Sequence, residues 1–290
     1  MPIIAAAGVL SLAQACWHAV VLGIVQGLTE FLPISSTAHL KVVPVLLGWV
    51  DPGVAFTAVI QLGSIVAVLA YFRRDLLEVV SGISRAFRHG QWSDPAARLG
   101  VAIALGTVPI VLAGLAMKHY VPDYEHSGLR SLTSIAIVSI VMALILAAAE
   151  LTGSRRRQLQ QVTPRDGLLV GLAQALALVP GVSRSGSTLT ASLFDGWQRA
   201  DAARFSFLLG IPAITLAGLV ELKDAIAMPA NGGLIPMLVG VLTAGIVSWL
   251  AIAWLLRFLQ RHSTWVFVGY RLVFGVVLLV FFRQLEAGTP

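Results

Sequence analysis

Two polar interruptions of apolar sequence carry the residues that could do chemistry. Residues 23–40 read GIVQGLTEFLPISSTAHL, and residues 171–188 read GLAQALALVPGVSRSGST. When the two segments are aligned at an offset of 148 residues, a glycine, a glutamine, a leucine and a serine occur at matching positions. Each segment breaks at a proline and restarts at a serine. A duplicated broken helix with polar groups at its break is how membrane proteins build a site inside the bilayer. We therefore look for function at these two breaks.

Ionisable side chains stand out in this apolar setting. An arginine or aspartate at the centre of a membrane helix costs about 2.5–3.5 kcal/mol on insertion scales, so such residues persist mainly where they function. Glu30, His39 and Arg184 all lie within the two interrupted segments. Gln26 precedes Glu30 by four residues, which places both on one face of the entering helix. These four residues are candidates for a site within the membrane.

The restart of each segment predicts an anion site. Ser36 and His39 are three residues apart, on one side of the first turn of a helix that Ser35 or Ser36 would cap. The run SRSGST at 183–188 likewise begins a helix with free backbone N–H groups and a glycine that permits close approach. Two helix N-termini and an arginine would converge on a phosphate group. The serine and histidine would supply a nucleophile and a base, and the nearby carboxylate would orient the histidine or hold a divalent metal.

The composition is that of a membrane protein. The chain is 57% hydrophobic and only 12% charged, whereas a soluble domain carries about 25% charged residues. A helix needs about 20 apolar residues to cross the hydrocarbon layer. Six runs meet that length, near 54–72, 99–117, 131–150, 205–222, 234–257 and 265–282. The sequence therefore predicts an all-α polytopic membrane protein.

Two further apolar regions, 10–49 and 167–195, are too long for one span and too interrupted for two. Pro33 and the serines after it break the first region, and Pro180 and the SRSGST run break the second. Irregular backbone at membrane depth is tolerated only where protein or a water-filled cavity surrounds it. We therefore expect both regions to be re-entrant hairpins, each made of two half-helices that enter and leave on the same side.

The charges between the spans predict the orientation. Thirteen basic residues fall on alternate loops and four on the others, which is a strong positive-inside bias. The predicted cytoplasmic set is Arg73, Arg74, Arg85, Arg88, Arg98, Arg155, Arg156, Arg157, Arg165, Arg199, Arg204, Arg257 and Arg261, and the other set is Lys118, Arg130, Lys223 and Arg283. The net charge of +6 is thereby explained without nucleic acid as a partner.

This order of elements predicts an internal inversion. Each half contains one re-entrant hairpin and three spans, an odd number, so the second half should be upside down relative to the first. We expect a single integral membrane domain over 1–290, with a first repeat at 10–151 and a second, inverted repeat at 167–285. The hairpin at 10–49 would enter from outside and the one at 167–195 from the cytoplasm, so that their tips meet near the midplane. Both termini would lie outside the cytoplasm.

The motifs QGLTEFLPISSTAH and PGVSRSGST, with IQLGSI at 60–65, resemble the undecaprenyl-diphosphate phosphatase family, the bacitracin-resistance type of bacterial membrane enzyme. The similarity covers nearly the whole chain. It implies hydrolysis of the terminal phosphate of undecaprenyl diphosphate to give undecaprenyl phosphate, the lipid carrier of peptidoglycan precursors. It also implies a divalent cation, Mg²⁺ or Ca²⁺. Gln26 stands where many relatives have glutamate, which leaves one carboxylate fewer for a metal.

The same resemblance implies roles for individual residues. The acidic segment that engages metal or pyrophosphate corresponds to Gln26 and Glu30, with Ser36 as the candidate nucleophile and His39 as its acid or base. Substrate contacts are expected from Ser35, Thr37, Ser183, Arg184, Ser185, Gly186 and Thr188. A polyprenyl diphosphate and membrane lipids are the implied partners, and a homodimer is an open alternative to a monomer. The implied location is a bacterial inner membrane, with the active site open to the outer, periplasmic side.

Other roles are open for several of these residues. His39 could itself attack phosphorus, and Ser35 could be a helix cap. Arg184 could be a structural ion-pair partner of Glu30, and Ser185 could only permit close helix packing. Arg271, inside the last span, could be a second cation for the diphosphate or could pair with a backbone carbonyl or a carboxylate.

A transporter or flippase is the alternative from another functional class. Inverted repeats with broken helices at the midplane are the architecture of secondary transporters, and a fold alone does not define a function. The groups at the breaks favour the enzyme, because a serine, a histidine, a carboxylate and an arginine suit phosphoryl transfer. Phosphate release by the purified protein in detergent would discriminate the two, since transport has no meaning there.

Overall fold

A computed structural model of the chain describes residues 10–51, 53–121, 124, 127–227 and 233–287. Within these ranges the structure is helical, with short 3₁₀ turns at Gly128–Arg130, Leu159–Gln161 and Leu176–Leu178. The eleven described α-helices are α1 (Leu12–Phe31), α2 (Ser36–Leu46), α3 (Gly53–Tyr71), α4 (Arg73–His89), α5 (Pro95–Tyr120), α6 (Leu132–Thr152), α7 (Pro164–Ala175), α8 (Arg184–Phe194), α9 (Arg199–Ala227), α10 (Leu234–Arg261) and α11 (Trp265–Ala287).

The helices confirm a polytopic membrane protein. Five of the described helices, α1, α5, α6, α9 and α10, are long and apolar enough to cross a bilayer, and the bent pair α3–α4 makes a sixth candidate. Each of the six predicted apolar runs lies on a helix, α11 being a shorter apolar one over 265–281. One difference concerns α1, which we expected to be a half-helix. With 20 residues it meets the length of a full span.

A further difference concerns residues 73–89, which we treated as part of a basic loop. They form α4, because apolar residues recur there at helical spacing between the arginines. The helix ends at Gly90, whose φ of 70° is the left-handed conformation that glycine adopts readily at a helix C-terminus. It is bent by 65° from α3, so α4 leaves the direction of the preceding span.

Both polar breaks form short loops between paired helices. Four residues separate α1 from α2, and the second break separates α7 and its 3₁₀ turn from α8. The restarting helices begin after Ser35 and Ser183, which have φ of 77° and 71°. Within the described chain only one other non-glycine residue, Arg155, has a positive φ. The two breaks therefore share an uncommon backbone conformation at matching positions.

The packing of the two halves also corresponds. The α1 helix packs along α10 and α7 packs along α5, while α3 packs against α9 and α6 against α11. Gly23 and Gly171, which match at the offset of 148, permit the first two contacts. A Cβ on Gly23 would lie 2.8 Å from the carbonyl oxygen of Gly240, and one on Gly171 would lie 2.3 Å from that of Gly106. Larger side chains at these positions would separate the helices.

Ion pairs gather the basic segments at one end of the bundle. Arg204 at the start of α9 pairs with Asp75 of α4, and Arg199 pairs with Glu150 at the end of α6. The same carboxylate accepts a hydrogen bond of 2.8 Å from the hydroxyl of Thr264, between α10 and α11. The other end of α6, where the helix begins, lies beside Arg130, whose carbonyl oxygen accepts a hydrogen bond from Lys41. The segments with most of the arginines thus share one end.

Candidate active site

The two breaks meet at an ion pair between Glu30 and Arg184. Glu30 lies in the last turn of α1 and Arg184 is the first residue of α8. Arg184 Nη2 donates to Glu30 Oε1 at 3.2 Å, and Ser36 Oγ donates to Glu30 Oε2 at 2.8 Å. Gln26, one turn before the carboxylate on the same face, donates to Oε2 at 3.3 Å. The predicted carboxylate, arginine, serine and glutamine therefore form one connected group.

This group lines two adjoining chambers. An outer chamber of about 640 Å³ adjoins an inner chamber of about 200 Å³, and Ser36, Thr37 and Gln61 line both. The inner chamber is also lined by Glu30, Ser35, Ser183 and Arg184, and the outer one by Gln26, Lys41, Asp51, Tyr124 and Arg130. The combined space suits a diphosphate head group, and the outer chamber leads away from the arginine-rich end.

Arg184 retains donors that the protein does not use. Its Nε and Nη1 are buried and have no hydrogen-bond partner among the described residues. The guanidinium packs on Gly210 of α9, where a Cβ would lie only 1.6 Å from Nη1. A buried donor without a partner is costly, about 1–3 kcal/mol for each group. Arg184 also lines the inner chamber, so an anionic ligand there would lie beside the guanidinium.

The structure does not pair Ser36 with His39. His39 is buried, its Nδ1 lies 2.7 Å from the carbonyl oxygen of Ser35, and its Nε2 lies 2.6 Å from the hydroxyl of Tyr270. A carbonyl oxygen can only accept, so Nδ1 carries a proton, and in the neutral imidazole Nε2 accepts from the tyrosine. The expected serine–histidine contact is thus replaced by the bond from Ser36 to the carboxylate. His39 is also absent from the described residues that line the two chambers.

The residues of the second break divide into two groups. Ser183 lines the inner chamber, and its hydroxyl accepts from the N–H of Gly186 at 3.1 Å, which caps α8. Ser185 donates to the carbonyl oxygen of Leu32 at 3.0 Å and so joins the two tips. Thr188 lies completely buried against α9 and donates to the carbonyl oxygen of Arg184 at 2.8 Å. In this structure the last two side chains and Gly186 do not line the chambers.

The two cap serines behave differently despite their shared backbone conformation. Ser183 accepts a capping bond, whereas the Ser35 side chain makes no capping bond to α2. A positive φ is uncommon for serine and costs about 1–3 kcal/mol, and such strain concentrates at functional sites. The strained positions are adjacent to Ser36 and Arg184. They orient the first turn of each helix toward the inner chamber.

Arg271 binds the two tips together from α11. Within the described chain its guanidinium donates only to backbone carbonyl oxygens, those of Pro33 at 3.2 Å, Val182 at 3.1 Å, Gly181 at 2.6 Å and Ser139 at 3.3 Å. The side chain is 1% exposed and is not among the described cavity-lining residues. Two roles were considered for this arginine, a second cation for the diphosphate and a structural partner of backbone groups. Its contacts are those of the structural role, with carbonyl partners. It fixes the backbone of both breaks.

Sequence reasoning assigned no role to several residues of the site. Gln61 lines both chambers, and Ser64 of the same helix lies 3.4 Å from the Gln26 amide nitrogen. The motif at 60–65 was a signal for them, because it places polar residues in an apolar helix. Gly210 and Tyr270 gave no local signal. Their contacts depend on which helices pack around the breaks.

A divalent cation fits this group only together with a ligand. Among the described residues, no three His, Cys, Asp or Glu side chains lie close enough to hold a metal by themselves. Glu30 and Ser36 nevertheless place oxygen atoms at the edge of the inner chamber, and Gln26 turns its amide nitrogen toward the carboxylate. Mg²⁺ commonly binds through one or two carboxylates plus substrate phosphate oxygens. These oxygen donors fit Mg²⁺ or Ca²⁺ bound jointly by protein and diphosphate.

Comparison with known proteins gives the family. The chain matches the family described as bacitracin resistance protein BacA over residues 19–277. It belongs to this family. The BacA match includes both breaks, the described helices that pack around them and the Arg271 that joins their tips.

Relatives of high identity support the same assignment. The undecaprenyl-diphosphatase of Parasynechococcus marenigrum (strain WH8102) is 72% identical over 271 residues, which cover 93% of this chain and 94% of the relative. That of Prochlorococcus marinus (strain MIT 9303) is 71% identical over 268 residues, 92% of each chain. That of Synechococcus sp. (strain RCC307) is 72% identical over 274 residues, 94% of this chain and 96% of the relative. This BacA family member is thus similar to these enzymes over almost its full length.

Proposed function

We propose that this chain hydrolyses undecaprenyl diphosphate to undecaprenyl phosphate and inorganic phosphate in a bacterial inner membrane. The observation that carries the proposal is the convergence of Glu30, Ser36 and a partly unpartnered Arg184 at the end of a cavity. The diphosphatase relatives extend over nearly the whole chain. The product would re-enter use as the lipid carrier of peptidoglycan precursors.

The first chemical step would use Ser36 as nucleophile. Its Oγ attacks the terminal phosphorus while its proton passes to Glu30, which already accepts that hydrogen bond at 2.8 Å. The bond from phosphorus to the bridging oxygen breaks, Glu30 passes the proton to that oxygen, and undecaprenyl phosphate leaves. Arg184, which lines the inner chamber, stabilises charge on the transferring group. A phosphoserine remains on the enzyme.

The second step would release phosphate by reversing these roles. Water attacks phosphorus and gives its proton to Glu30, and the bond from phosphorus to the serine oxygen breaks. Glu30 passes this proton to the Ser36 oxygen as that bond breaks, and inorganic phosphate leaves. In this scheme His39 is a positioning residue, because it holds the carbonyl group of Ser35 next to the nucleophile. Thr37, which lines both chambers, and Ser183 would contact the phosphate oxygens.

We propose that Mg²⁺ or Ca²⁺ is held by Glu30 and Gln26 together with the substrate. When bound, the cation would neutralise charge on the phosphate oxygens. Gln26 donates to Glu30 at 3.3 Å in this structure, which keeps the amide beside the carboxylate. A glutamate in place of Gln26 would add a charged ligand. We expect Gln26→Glu to lower the cation concentration needed for half-maximal turnover.

The direct test is phosphate release by the purified protein in detergent with undecaprenyl diphosphate. We expect one phosphate for each undecaprenyl phosphate formed. Glu30→Gln, which keeps size but removes the charge, should abolish most turnover, and Glu78→Gln on exposed α4 is the matched control. A wild-type protein that binds the lipid without releasing phosphate would favour the transporter alternative. None of the relatives described above carries a transporter name.

The nucleophile is tested by trapping. Acid quenching after brief incubation with substrate labelled on the terminal phosphate should leave label on a peptide that contains Ser36. The label should be absent in Ser36→Ala and present in His39→Asn. Acid-labile label that depends on His39 would assign the attack to the histidine instead.

We propose further that the two halves are inverted repeats with re-entrant hairpins. His18 of α1 stacks on Trp49 beyond α2 with ring centroids 3.7 Å apart, which supports a first hairpin that returns to its own side. Arg157 pairs with Asp166 at the start of α7 and Asp195 at the end of α8, which supports the same for the second. The contacts of Lys41 with Arg130 before α6 and of Arg199 with Glu150 at its end support placing these closures at opposite ends of the bundle, as an inversion requires.

An outward opening follows from the same arrangement. The outer chamber is lined by Lys41 and Arg130, at the end with few arginines, and the positive-inside rule places that end outside. Right-side-out vesicles should therefore hydrolyse geranyl diphosphate added externally, a short-chain diphosphate that does not cross the membrane. Hydrolysis confined to inverted vesicles would reverse the orientation. A homodimer also stays a prediction, which the mass of the purified complex would test.

A further inference from the structure

The α4 helix is held rigidly against α5 by one of its faces. Gly82 lies so close to α5 that a Cβ there would be 2.7 Å from the Cβ of Ala96. Arg85 pairs with Asp94 at 2.6 Å, just before α5 begins. That guanidinium and the N–H of Ala96 hold the pKa of the Asp94 carboxyl below its usual range, so it stays charged near neutral pH. α4 is thus a fixed feature of this end of the molecule.

A second face of α4 is apolar and uncovered. Leu77, Val80 and Phe87 are 69%, 66% and 74% exposed, and they recur at the spacing of one helix face. Trp92, in the turn after α4, is 47% exposed and packs edge-on against Phe87 at 5.0 Å. A patch of this kind on a membrane protein marks contact with lipid or a partner.

The polar face of α4 is predominantly basic. Arg73, Arg74, Arg85 and Arg88 all lie on the helix and are exposed. Two acidic residues accompany them, Asp75, which pairs with Arg204, and the exposed Glu78. A helix with an exposed apolar face beside a basic one is typical of a segment that lies in the head-group layer of a membrane.

An apolar groove opens between α4 and α5. Its volume is about 510 Å³, within the range of about 300–1,000 Å³ typical of ligand pockets. It is lined by Val79, Val80, Ile83, Phe87, Trp92, Gly100, Val101, Ala104 and Leu105, with no ionisable side chain among them. It shares no lining residue with the two chambers of the active site. The groove therefore suits a hydrocarbon chain that is not the substrate in the catalytic cavity.

We propose that this groove binds an acyl chain of an anionic phospholipid whose head group lies against the arginines of α4. The bend of 65° between α3 and α4 brings the helix away from the direction of the span. Arg88 follows the groove residue Phe87 directly, so the chain and the head group can be bound together. The lipid would come from the leaflet at the arginine-rich end. The charge on α4 selects its anionic head group.

The test is native mass spectrometry of the purified protein taken from bilayers of equal phosphatidylglycerol and phosphatidylcholine with identical acyl chains. The wild type should retain phosphatidylglycerol in preference. Ala104→Phe fills the groove from an exposed position and should lose this lipid, whereas Ala116→Phe, exposed on the same helix beyond the groove, should keep it. Arg88→Gln should reduce the preference for phosphatidylglycerol about fivefold while chain binding remains. All three variants should release phosphate in detergent at wild-type rates.

Three outcomes would overturn the proposal. One is equal retention of the two lipids by the wild type, and another is equal lipid loss in Ala104→Phe and Ala116→Phe. The third is a mass of two chains that Ala104→Phe reduces to one, since this would assign the groove to self-association. If Ala104→Phe does not fold, Phe87→Ser replaces it in the lipid-retention test. Phe87 is 74% exposed, so its loss opens the groove wall without disturbing the core, and this variant should lose the lipid.

Discussion

Arg184 Nη2 donates to Glu30 Oε1 at 3.2 Å across 154 residues of sequence, and both side chains are at most about 10% exposed. A buried ion pair is weak evidence of stabilisation, because the cost of removing both charges from water is comparable to their attraction. Here the arginine also has two nitrogens without a partner among the described residues, and the carboxylate also accepts from Ser36. The pair is therefore better explained as a preorganised site than as a structural link.

Gly210 should be essential for the position of Arg184. A Cβ at this residue would lie 1.6 Å from the guanidinium, so Gly210→Ala must displace it. A misplacement of about 1 Å can cost about 10² in rate, and we expect kcat to fall by that order while the protein still folds. Gly114→Ala is the matched control, because nothing lies within 4 Å of a Cβ there. Equal rates in the two variants would show that the guanidinium has no part in turnover.

His39 should act through position rather than proton transfer. Tyr270→Phe removes only the hydroxyl that lies 2.6 Å from Nε2, and a hydrogen bond of this kind contributes about 0.5–1.5 kcal/mol. We expect a rate lowered by at most about tenfold and a pH–rate profile of unchanged shape. His39→Asn should lower kcat more strongly, also without loss of a limb of the profile. Loss of a limb in His39→Asn would make the histidine the acid or base.

Arg271 should contribute to stability and to the alignment of both tips. Arg271→Met leaves buried carbonyl oxygens such as those of Pro33 and Gly181 without a donor, at about 1–3 kcal/mol for each. We expect a lower Tm in detergent and a lower kcat with little change in KM. Arg271→Lys should recover part of the Tm. An unchanged Tm in Arg271→Met would contradict the role inferred from these contacts.

The orientation is open to cysteine labelling. In a Cys16→Ser background, Gln91→Cys lies after α4 at the arginine-rich end and Gly128→Cys lies between α5 and α6. An impermeant maleimide added to whole cells should label only Gly128→Cys, and permeabilised cells should show both. Labelling of both from outside would contradict the positive-inside assignment. The predicted location of both termini outside the cytoplasm depends on this labelling result. Residues 1–9 and 288–290 themselves lie outside the described chain.

Much of the architecture could be predicted because the length of an apolar run and a repeated motif are local features of the sequence. The six apolar runs are helices, and the two breaks fall at Pro33 and before Arg184 as expected. The convergence of Glu30 with Arg184 followed from their places in two matching segments. The prediction of a loop at 73–89 was wrong. It counted only the charged residues and ignored the spacing of the apolar residues, which makes α4 a helix.

The contacts within the site were less accessible from sequence. Helical spacing places Ser36 and His39 on one side of α2 but does not fix where each side chain points. Packing from α11 supplies Tyr270 as the partner of His39, which leaves Ser36 to the carboxylate. Arg271 likewise meets carbonyl groups that exist only once both breaks have formed. Such contacts depend on tertiary packing and have no local pattern.

The most direct measurement is kcat for undecaprenyl diphosphate hydrolysis by purified Arg184→Ala in detergent. A well-placed donor to a developing charge contributes about 10²–10³ in rate, and we predict a loss of at least that size. Arg184→Lys should recover only part of it, because an ammonium group cannot reproduce the planar fork of donors. Arg261→Ala, at the exposed end of α10, should be unaffected. Near-normal turnover in Arg184→Ala would contradict the assignment of catalysis to the meeting point of the two breaks.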